Sequence, residues 1–237
     1  MTKNIDVCLT PDLLHQYELE NKIVVVVDIL RATSCMVSGL ANGVKEIVPV
    51  ATLEECKALQ EAGYLAAAER NGSKADGFDM GNSPFEYMDD KVKGGKVAVT
   101  TTNGTLAISK SLKAKEILIG AFLNLDALAK YLKNKEEDII VLCAGWKGKF
   151  NLEDTLFAGA LCHQLKSDFA FACDAPLAAE AMYITARKDM MKYMEDSSHA
   201  KRLAKLNVKK DIAYCVQESI YDVIPYLSGK ALVPLAH

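Results

Sequence analysis

Hydrophobic segments typical of strands alternate with segments typical of helices through the first two thirds of the chain. The clearest strand is residues 23–28, where a run of valines indicates burial on both faces of a sheet. The strand candidates are residues 4–9, 23–28, 45–50, 64–68, 96–101, 115–120 and 138–143, and the helix candidates are 33–42, 52–62, 103–113, 124–134 and 151–165. This alternation predicts an α/β fold, a layered mixed or parallel sheet with helices on both faces.

The last third of the chain has a different pattern. Residues 175–195 and 197–207 are typical of helices, and residues 221–235 are typical of a β-hairpin that turns at Ser228-Gly229. Because proline cannot donate to a strand ladder, Pro225 and Pro234 favour edge strands for this hairpin.

A weak internal repeat suggests two related halves. Lys45-Glu46-Ile47 recurs 70 residues later as Lys115-Glu116-Ile117, and a predicted helix precedes and follows each copy. We therefore predict one domain over residues 1–237, built from intimately packed halves at about 23–70 and 96–143. The alternative is that any two strand–helix units resemble each other.

Composition and charge narrow the classes of protein. Half of the 237 residues are hydrophobic, which is enough for a large core, and the net charge of −3 with interspersed signs argues against a nucleic-acid surface. No signal peptide and no apolar run of about 20 residues is present, so we expect a soluble protein without a membrane partner. The seven cysteines form no CxxC pair, which favours a reducing, cytoplasmic compartment. A homodimer is the default expectation.

Polar residues of the kind that bind anions and metals follow four of the predicted strands. In open α/β sheets ligands bind at the carboxyl ends of the strands, so these residues predict a cationic pocket with acidic residues available for a metal. They are Asp28, Arg31, Thr33 and Ser34 after the first of these strands, Glu69 and Arg70 after the second, Thr100–Thr105 after the third, and Lys147, Lys149, Glu153 and Asp154 after the fourth.

Each of these groups also has a purely structural interpretation. Asp28 is either a site residue or a helix cap paired with Arg31, and the turn from Thr101 to Gly104 is either an anion cradle or an ordinary N-cap. Arginines can grip an oxyanion or form salt bridges, and acidic residues in a first helical turn are favoured by the helix dipole. For Cys143 packing or contact with the substrate is favoured over nucleophilic attack, and His199 is a candidate polar contact at a helix start.

The ordered set of motifs resembles the 2-phosphosulfolactate phosphatase family, and the resemblance spans most of the chain. The motifs are Asp28-Ile-Leu-Arg-Ala-Thr-Ser34, Glu69-Arg70, Phe78-Asp-Met-Gly-Asn-Ser-Pro84, Thr101-Thr-Asn-Gly-Thr105, Cys143-Ala-Gly145 with Glu153-Asp154, and a tail with Asp211, Cys215 and Val223-Ile-Pro225. The resemblance implies an unusual α/β fold and a Mg²⁺-dependent phosphatase. The implied reaction converts 2-phospho-3-sulfolactate to 3-sulfolactate and phosphate, a step toward coenzyme M.

That substrate carries a phosphate, a sulfonate and a carboxylate, and the charged residues are proportionate to it. We expect Asp28, Glu153 and Asp154 to be metal ligands, and Glu69 is the alternative ligand. The expected phosphate ligands are Arg31, Thr101, Thr102, Asn103 and Gly104, and the expected sulfonate or carboxylate ligands are Arg70 and Lys147 or Lys149. The catalytic candidates are Asp28, Arg31 and Glu69. Both attack by water and attack by Asp28 itself remain open.

Three alternatives compete with this interpretation. A haloacid-dehalogenase-type phosphatase needs a second Asp two residues after the first, and that position is Leu30. A phosphatase of another small 2-phospho acid would need the same types of residue. A non-catalytic anion-binding domain would bind phosphate or sulfonate without turnover.

Overall fold

A mixed sheet runs through the computed structural model, which describes residues 2–70, 72–204, 206 and 208–235. Within these residues the sheet has eleven strands. They are β1 Asn4–Cys8, β2 Ile23–Val27, β3 Glu46–Pro49, β4 Leu65–Arg70, β5 Ser73–Lys74, β6 Lys96–Thr100, β7 Glu116–Gly120, β8 Ile139–Cys143, β9 Ala170–Phe171, β10 Pro225–Ser228 and β11 Ala231–Pro234. The seven strands predicted in the first two thirds are all present, with bounds that agree closely.

The strand order is β5-β4-β6-β3-β11-β10-β7-β2-β8-β1-β9, and most neighbouring pairs are parallel. The valine strand β2 pairs in parallel with both β7 and β8, and every residue in it is buried. The prediction of an α/β fold with a mixed, mostly parallel sheet is therefore confirmed. The carboxyl ends of parallel strands meet at one edge of such a sheet, which is where the candidate site residues lie.

Nine α-helices are present in the described part of the chain. They are α1 Ala32–Ala41, α2 Leu53–Glu61, α3 Gly104–Lys110, α4 Leu125–Lys133, α5 Leu152–Leu165, α6 Asp174–Ala186, α7 Met190–Met194, α8 Ser198–Ala204 and α9 Lys209–Cys215. The first five agree with the predicted helices. In the described residues no helix is both long enough and apolar enough to cross a membrane.

The helices of the last third differ from their prediction. Residues 175–195 form two helices, because the Asp189 side chain accepts a hydrogen bond from the Lys192 N–H and starts a new helix there. Tyr183, Met190 and Met194 are buried on both sides of this break, so the apolar pattern continues through it. The predicted helix 197–207 is described as far as Ala204, and residues 205 and 207 lie outside the described residues. Helix α9 was not predicted.

The C-terminal hairpin is confirmed, but its predicted place at the edge of the sheet is wrong. Strands β10 and β11 lie in the middle, between β7 and β3. Pro225 and Pro234 face each other at the open end of the hairpin. Each hairpin strand has one register pair with its outer neighbour, Tyr226 with Leu118 and Leu232 with Ile47. Two prolines are tolerated here because these short contacts do not use their missing N–H groups.

The hairpin separates the two Lys-Glu-Ile strands, β3 and β7. The chain crosses from β2 through α1 to β3, and returns from β6 through α3 to β7. These crossings carry the ends of β2 and β6 toward each other. One large hydrophobic cluster extends from β1 to β11. The internal duplication and the placement of helices on both faces stay predictions.

Candidate active site

Residues that follow four different parallel strands line one cavity at the carboxyl edge of the sheet. Asp28 follows β2, Glu69 lies near the end of β4, Asn103 follows β6, and Trp146 follows β8. The remaining lining residues are Leu30, Arg31, Gly72, Asn82, His199, Arg202, Leu203 and Leu206. The predicted convergence of these strand ends therefore exists in the structure.

Asp28 lies at the base of this cavity and is almost completely buried. Its backbone N–H donates to Thr33 Oγ1 over 3.0 Å, and its carbonyl accepts the Thr33 N–H, which turns the chain from β2 into α1. The pKa of Asp28 is raised to about 6, and burial is the main cause; His199 lowers the pKa, and the nearby Glu69 and Glu153 contribute to the rise. The carboxyl group is thus poised to change protonation near neutral pH.

Gly104 permits the close approach of the β2 and β6 loops. A Cβ atom at this position would lie 2.8 Å from Ala32 Cβ and 3.0 Å from Asp28 Oδ2. Thr101 and Thr105 hold the turn through reciprocal hydrogen bonds between the hydroxyl groups and the backbone. Asn103 Oδ1 accepts the Lys147 N–H, which ties this turn to the loop after β8.

Arg31 is buried beside Asp28 but pairs with a different carboxylate. Its Nη1 donates to Asp211 Oδ2 on α9, and its Nη2 donates to the Gly72 carbonyl over 2.9 Å. The alternative in which Arg31 pairs with Asp28 is therefore wrong. A guanidinium has five N–H donors, so Arg31 keeps donors for the cavity that it lines.

Glu69 and Arg70 have separate surroundings. Glu69 is buried; its Oε1 accepts the Gly72 N–H, and its Oε2 accepts the Thr102 hydroxyl over 3.4 Å. Arg70 donates to the Glu69 carbonyl and to Thr100 Oγ1. Arg70 is not among the residues that line the cavity, whereas Glu69 is.

The loop after β8 contributes Trp146 to the cavity lining; its lysines are not part of that lining, although Lys147 Nζ lies 5.5 Å from the centroid of the Trp146 ring. Trp146 and Lys149 exchange two backbone hydrogen bonds of 2.9 and 3.0 Å, which close a tight turn. Lys147 and Lys149 are exposed, and neither lines the cavity. Their predicted contact with sulfonate or carboxylate, like that of Arg70, has no counterpart in the cavity lining.

Asp154 holds the β2 and β8 loops together. Its side chain is fully buried; Oδ1 accepts the Ile29 N–H over 2.8 Å, and Oδ2 accepts the Gly145 N–H over 3.1 Å. Burial, together with Asp28 and Glu153, raises the pKa of Asp154 well above its usual range. Each of its oxygen atoms thus already fixes one loop of the site.

Glu153 lies at the start of α5 and has an oxygen atom without a partner. Its Oε1 contacts His199 Nδ1 and accepts a hydrogen bond from Asn151 Nδ2. Its Oε2 is buried and has no hydrogen-bond partner in the described part of the chain, and the same is true of Asn151 Oδ1. A buried carboxylate oxygen without a partner lowers the stability of the fold unless a cation or a hydrogen-bond donor contacts it.

Sequence reasoning missed the contribution of α8. His199 was only a candidate polar contact and Arg202 was not considered, yet both line the cavity. They are three residues apart and therefore share one face of the helix, and both contact the Trp146 ring. This His-x-x-Arg spacing is the signal in the sequence, but a contact between α8 and the strand ends cannot be derived from spacing alone.

Cys143 is the last residue of β8 and is completely buried. Burial raises the pKa of its thiol well above the usual range, and Asp154 adds to this effect. The thiolate form is therefore disfavoured, which agrees with a packing role.

The donor atoms around Asp28 fit a hard divalent cation such as Mg²⁺. Within residues 2–70, 72–204, 206 and 208–235, no three His, Cys, Asp or Glu side chains form a complete metal site. Mg²⁺ does not require such a cage, because it commonly binds one or two carboxylates, several waters and a substrate phosphate. Asp28 and the unpartnered Glu153 Oε2 would supply those carboxylates.

Comparisons with known proteins identify a family and relatives to which this chain is similar. A family model described as 2-phosphosulpholactate phosphatase matches residues 8–230. A probable 2-phosphosulfolactate phosphatase from Thermotoga petrophila is 42% identical over 210 residues, or 88% of this chain and 90% of that protein. Proteins with the same description from Caldanaerobacter subterraneus and Clostridium acetobutylicum are 39% identical over 225 residues (93% of each chain) and 38% identical over 234 residues (96% and 99%).

Proposed function

Because the chain belongs to the 2-phosphosulfolactate phosphatase family, we propose that the cavity around Asp28 hydrolyses 2-phospho-3-sulfolactate to 3-sulfolactate and phosphate with Mg²⁺. One observation carries this proposal. Asp28, Glu69, Asn103 and Trp146 come from four different strand ends and line the same cavity. A cavity of this kind lies where open α/β sheets bind their ligands.

Asp28 and Glu153 are the proposed ligands for Mg²⁺, and Asp154, the third ligand expected from the sequence, is proposed to hold them in position, because the described residues contain no group of three acidic side chains that could hold a metal ion. The buried Glu153 Oε2 without a partner and the crowded carboxylates around Asp28 support this assignment. When bound, Mg²⁺ neutralises phosphate oxygens and offsets the charge that develops on them. Both oxygen atoms of Asp154 accept a backbone N–H, so Asp154 fixes the loops after β2 and β8 that lie beside the two ligands.

Arg31 and the Thr101–Gly104 turn are the proposed phosphate ligands. Arg31 is fixed by Asp211 and Gly72 and retains N–H donors beside the cavity. Thr101, Thr102, Asn103 and Gly104 follow β6, and Asn103 lines the cavity directly. A guanidinium with a rigid anchor binds an oxyanion with little loss of conformational freedom.

Asp28 is the proposed catalytic carboxylate, and Glu69 is its acidic neighbour. As a base, Asp28 accepts a proton from water while the water oxygen bonds to phosphorus and the ester bond breaks. As a nucleophile, it forms that bond itself and water releases the phosphate later.

We also propose a reducing, cytoplasmic location and a homodimer. All seven cysteines are free, and six of them are buried. Thiol counting under native and denaturing conditions checks the first proposal, since one thiol should react before unfolding and the rest after it. Light scattering on the purified protein checks the second, and a monomer mass would contradict it.

A phosphate-release assay tests the proposed reaction. We expect 2-phospho-3-sulfolactate to release phosphate with Mg²⁺, EDTA to stop the release, and added Mg²⁺ to restore it. Asp28→Asn should lower kcat by about 100-fold or more while the circular dichroism spectrum is unchanged. Glu153→Gln should raise the Mg²⁺ concentration needed for half-maximal rate, and the exposed Asp168→Asn is the matched control.

Other outcomes would contradict this proposal. Release that is unaffected by EDTA would remove the metal from it. Faster release from another 2-phospho acid would change the substrate. Tight binding of phosphate or sulfonate without turnover of any phosphoester would identify an anion-binding domain instead.

A further inference from the structure

The proposed substrate has two anionic groups besides its phosphate, and the cations predicted to bind them are not among the residues that line the cavity. Arg70 donates to the Glu69 carbonyl and to Thr100, outside the cavity lining. Lys147 and Lys149 are exposed, also outside the lining. A cation that already lines the cavity is therefore the better candidate for binding a sulfonate or carboxylate there.

Arg202 on α8 has the geometry that such a group requires. It lines the cavity, and its Nη2 atom is buried without a hydrogen-bond partner among the residues that the structure describes. With the described residues Arg202 forms no salt bridge, whereas Arg31 is held by Asp211. A buried guanidinium N–H with no acceptor is costly, and an oxyanion would supply the missing acceptor.

The loop after β8 fixes the position of this guanidinium. Arg202 Cζ lies 3.8 Å from the centroid of the Trp146 ring, which is a close cation–π contact. Trp146 is itself held by its two backbone hydrogen bonds with Lys149, and its ring lies 5.7 Å from the His199 ring. The guanidinium plane is thus oriented before a ligand binds, which lowers the entropy cost of binding.

The two arginines of the cavity are held in different ways. Arg31 is anchored beside the Asp28 loop, which suits the phosphate, and Arg202 approaches from α8. Glu153 and Glu69 lie near enough to Arg202 to affect it electrostatically, but neither forms a salt bridge with it. The cavity therefore presents one cation for the reacting group and another for the rest of the molecule.

We propose that Arg202, stacked on Trp146, binds the non-phosphate oxyanion of the substrate and so sets the specificity of the cavity for phosphoesters with a second anionic group. This inference rests on the proposed function, since it assigns the second anion of that same substrate. It assigns a binding role to Arg202 and a positioning role to Trp146.

Substrates that lack one anionic group test the assignment. Phosphate release is measured from 2-phospho-3-sulfolactate, from 2-phospholactate, which lacks the sulfonate, and from 2-sulfoethyl phosphate, which lacks the carboxylate. For Arg202→Gln we expect kcat/KM on the full substrate to fall by about 10- to 100-fold. The fall should be at least about tenfold smaller for the analogue that lacks the group bound by Arg202, and this identifies the group.

Matched variants separate this role from a structural one. Lys201→Gln removes one positive charge from the same helix at an exposed position, and we expect it to change kcat/KM by less than about twofold. Trp146→Leu should weaken the preference for the full substrate in the same direction as Arg202→Gln. Equal losses on all three substrates in Arg202→Gln would overturn the assignment.

Binding of 3-sulfolactate, measured by titration calorimetry, separates this inference from the proposed reaction. We expect the wild-type protein and Lys201→Gln to bind it equally, and Arg202→Gln to bind about tenfold more weakly. Such binding without any phosphatase activity would contradict the proposed function and support the role of Arg202. No binding by the wild-type protein, or equal affinity in Arg202→Gln, would overturn the role of Arg202.

Discussion

Asp28 combines two properties that a purely structural carboxylate rarely has. It is buried at the end of a central strand, and two further carboxylates lie near enough to raise its pKa. A buried cluster of this kind lowers the stability of the protein without its cation, and binding of a cation relieves that cost. The residues with the clearest chemical role are therefore also residues that destabilise the empty site.

The difference in folding stability between Asp28→Asn and the wild-type protein should depend on pH. The pKa of Asp28 is raised to about 6 from its ordinary 3.8, so its ionised form destabilises the fold. This loss of folding stability is absent below the pKa of Asp28 in the unfolded chain. It grows as the pH rises from about 4 to 6, and it reaches its full size above about pH 6. In EDTA we expect Asp28→Asn to be more stable than wild type by up to about 3 kcal/mol at pH 7.5, and little different at pH 4.

Urea unfolding at a series of pH values checks this prediction. Asp168→Asn serves as the control because it removes an exposed carboxylate. Saturating Mg²⁺ should reduce or reverse the difference at pH 7.5, because the wild-type protein gains more from the ion. A stability difference that does not change with pH would contradict the electrostatic account of Asp28.

At the scale of elements, the strand ends that form the site could be predicted from the sequence. Strands β2 and β8 are continuous apolar runs; Asp28 follows β2 directly and Lys147 comes four residues after β8, so a general rule about parallel sheets locates Asp28. The contribution of α8 could not be predicted in this way. His199 and Arg202 reach the site through the packing of one short helix against Trp146, and no local pattern encodes that contact.

Helix α9 also contributes through a contact between distant residues. Asp211 lies 180 positions after Arg31, yet the two side chains form a buried salt bridge. The tail motif with Asp211 was part of the family resemblance, but its partner could not be read from the sequence. The structure explains the motif, because this contact fixes an arginine of the candidate site.

Removing Asp211 should destabilise the protein and impair the site. Asp211→Ala leaves the buried Arg31 guanidinium without its counter-charge, so we expect a loss of about 3 kcal/mol in the free energy of unfolding. Urea unfolding measures this loss, and Asp90→Ala, which breaks the exposed pair with Lys93, should have little effect. Equal midpoints for the two variants would show that the buried pair contributes nothing.

The whole molecule is organised around the hairpin that the sequence led us to expect at an edge. Strands β10 and β11 join the half of the sheet that contains β3 to the half that contains β7. The missing N–H of proline does lower the stability of a strand ladder, but it does not determine which strands become neighbours in the sheet. That information lies in contacts between distant residues, such as Leu232 with Ile47, which no local pattern contains.

A central hairpin should be sensitive to substitution at its buried positions. Leu232 is fully buried opposite Ile47, so Leu232→Ser should cost about 3 kcal/mol or more in the free energy of unfolding. Val233→Ser, at the half-buried neighbouring position, should cost clearly less. Thermal and urea unfolding compare the two variants, and equal small losses would indicate a hairpin that is peripheral to the sheet.

The account depends on one cavity that binds both a metal ion and a small anionic molecule. A crystal structure with Mg²⁺ and 3-sulfolactate tests this claim most directly. We predict Mg²⁺ within about 2.1 Å of oxygen atoms of Asp28 and Glu153, and an oxyanion of the product on Arg202. Product and ion bound elsewhere, for example in the groove lined by Asp12, His15 and Lys110, would contradict the account.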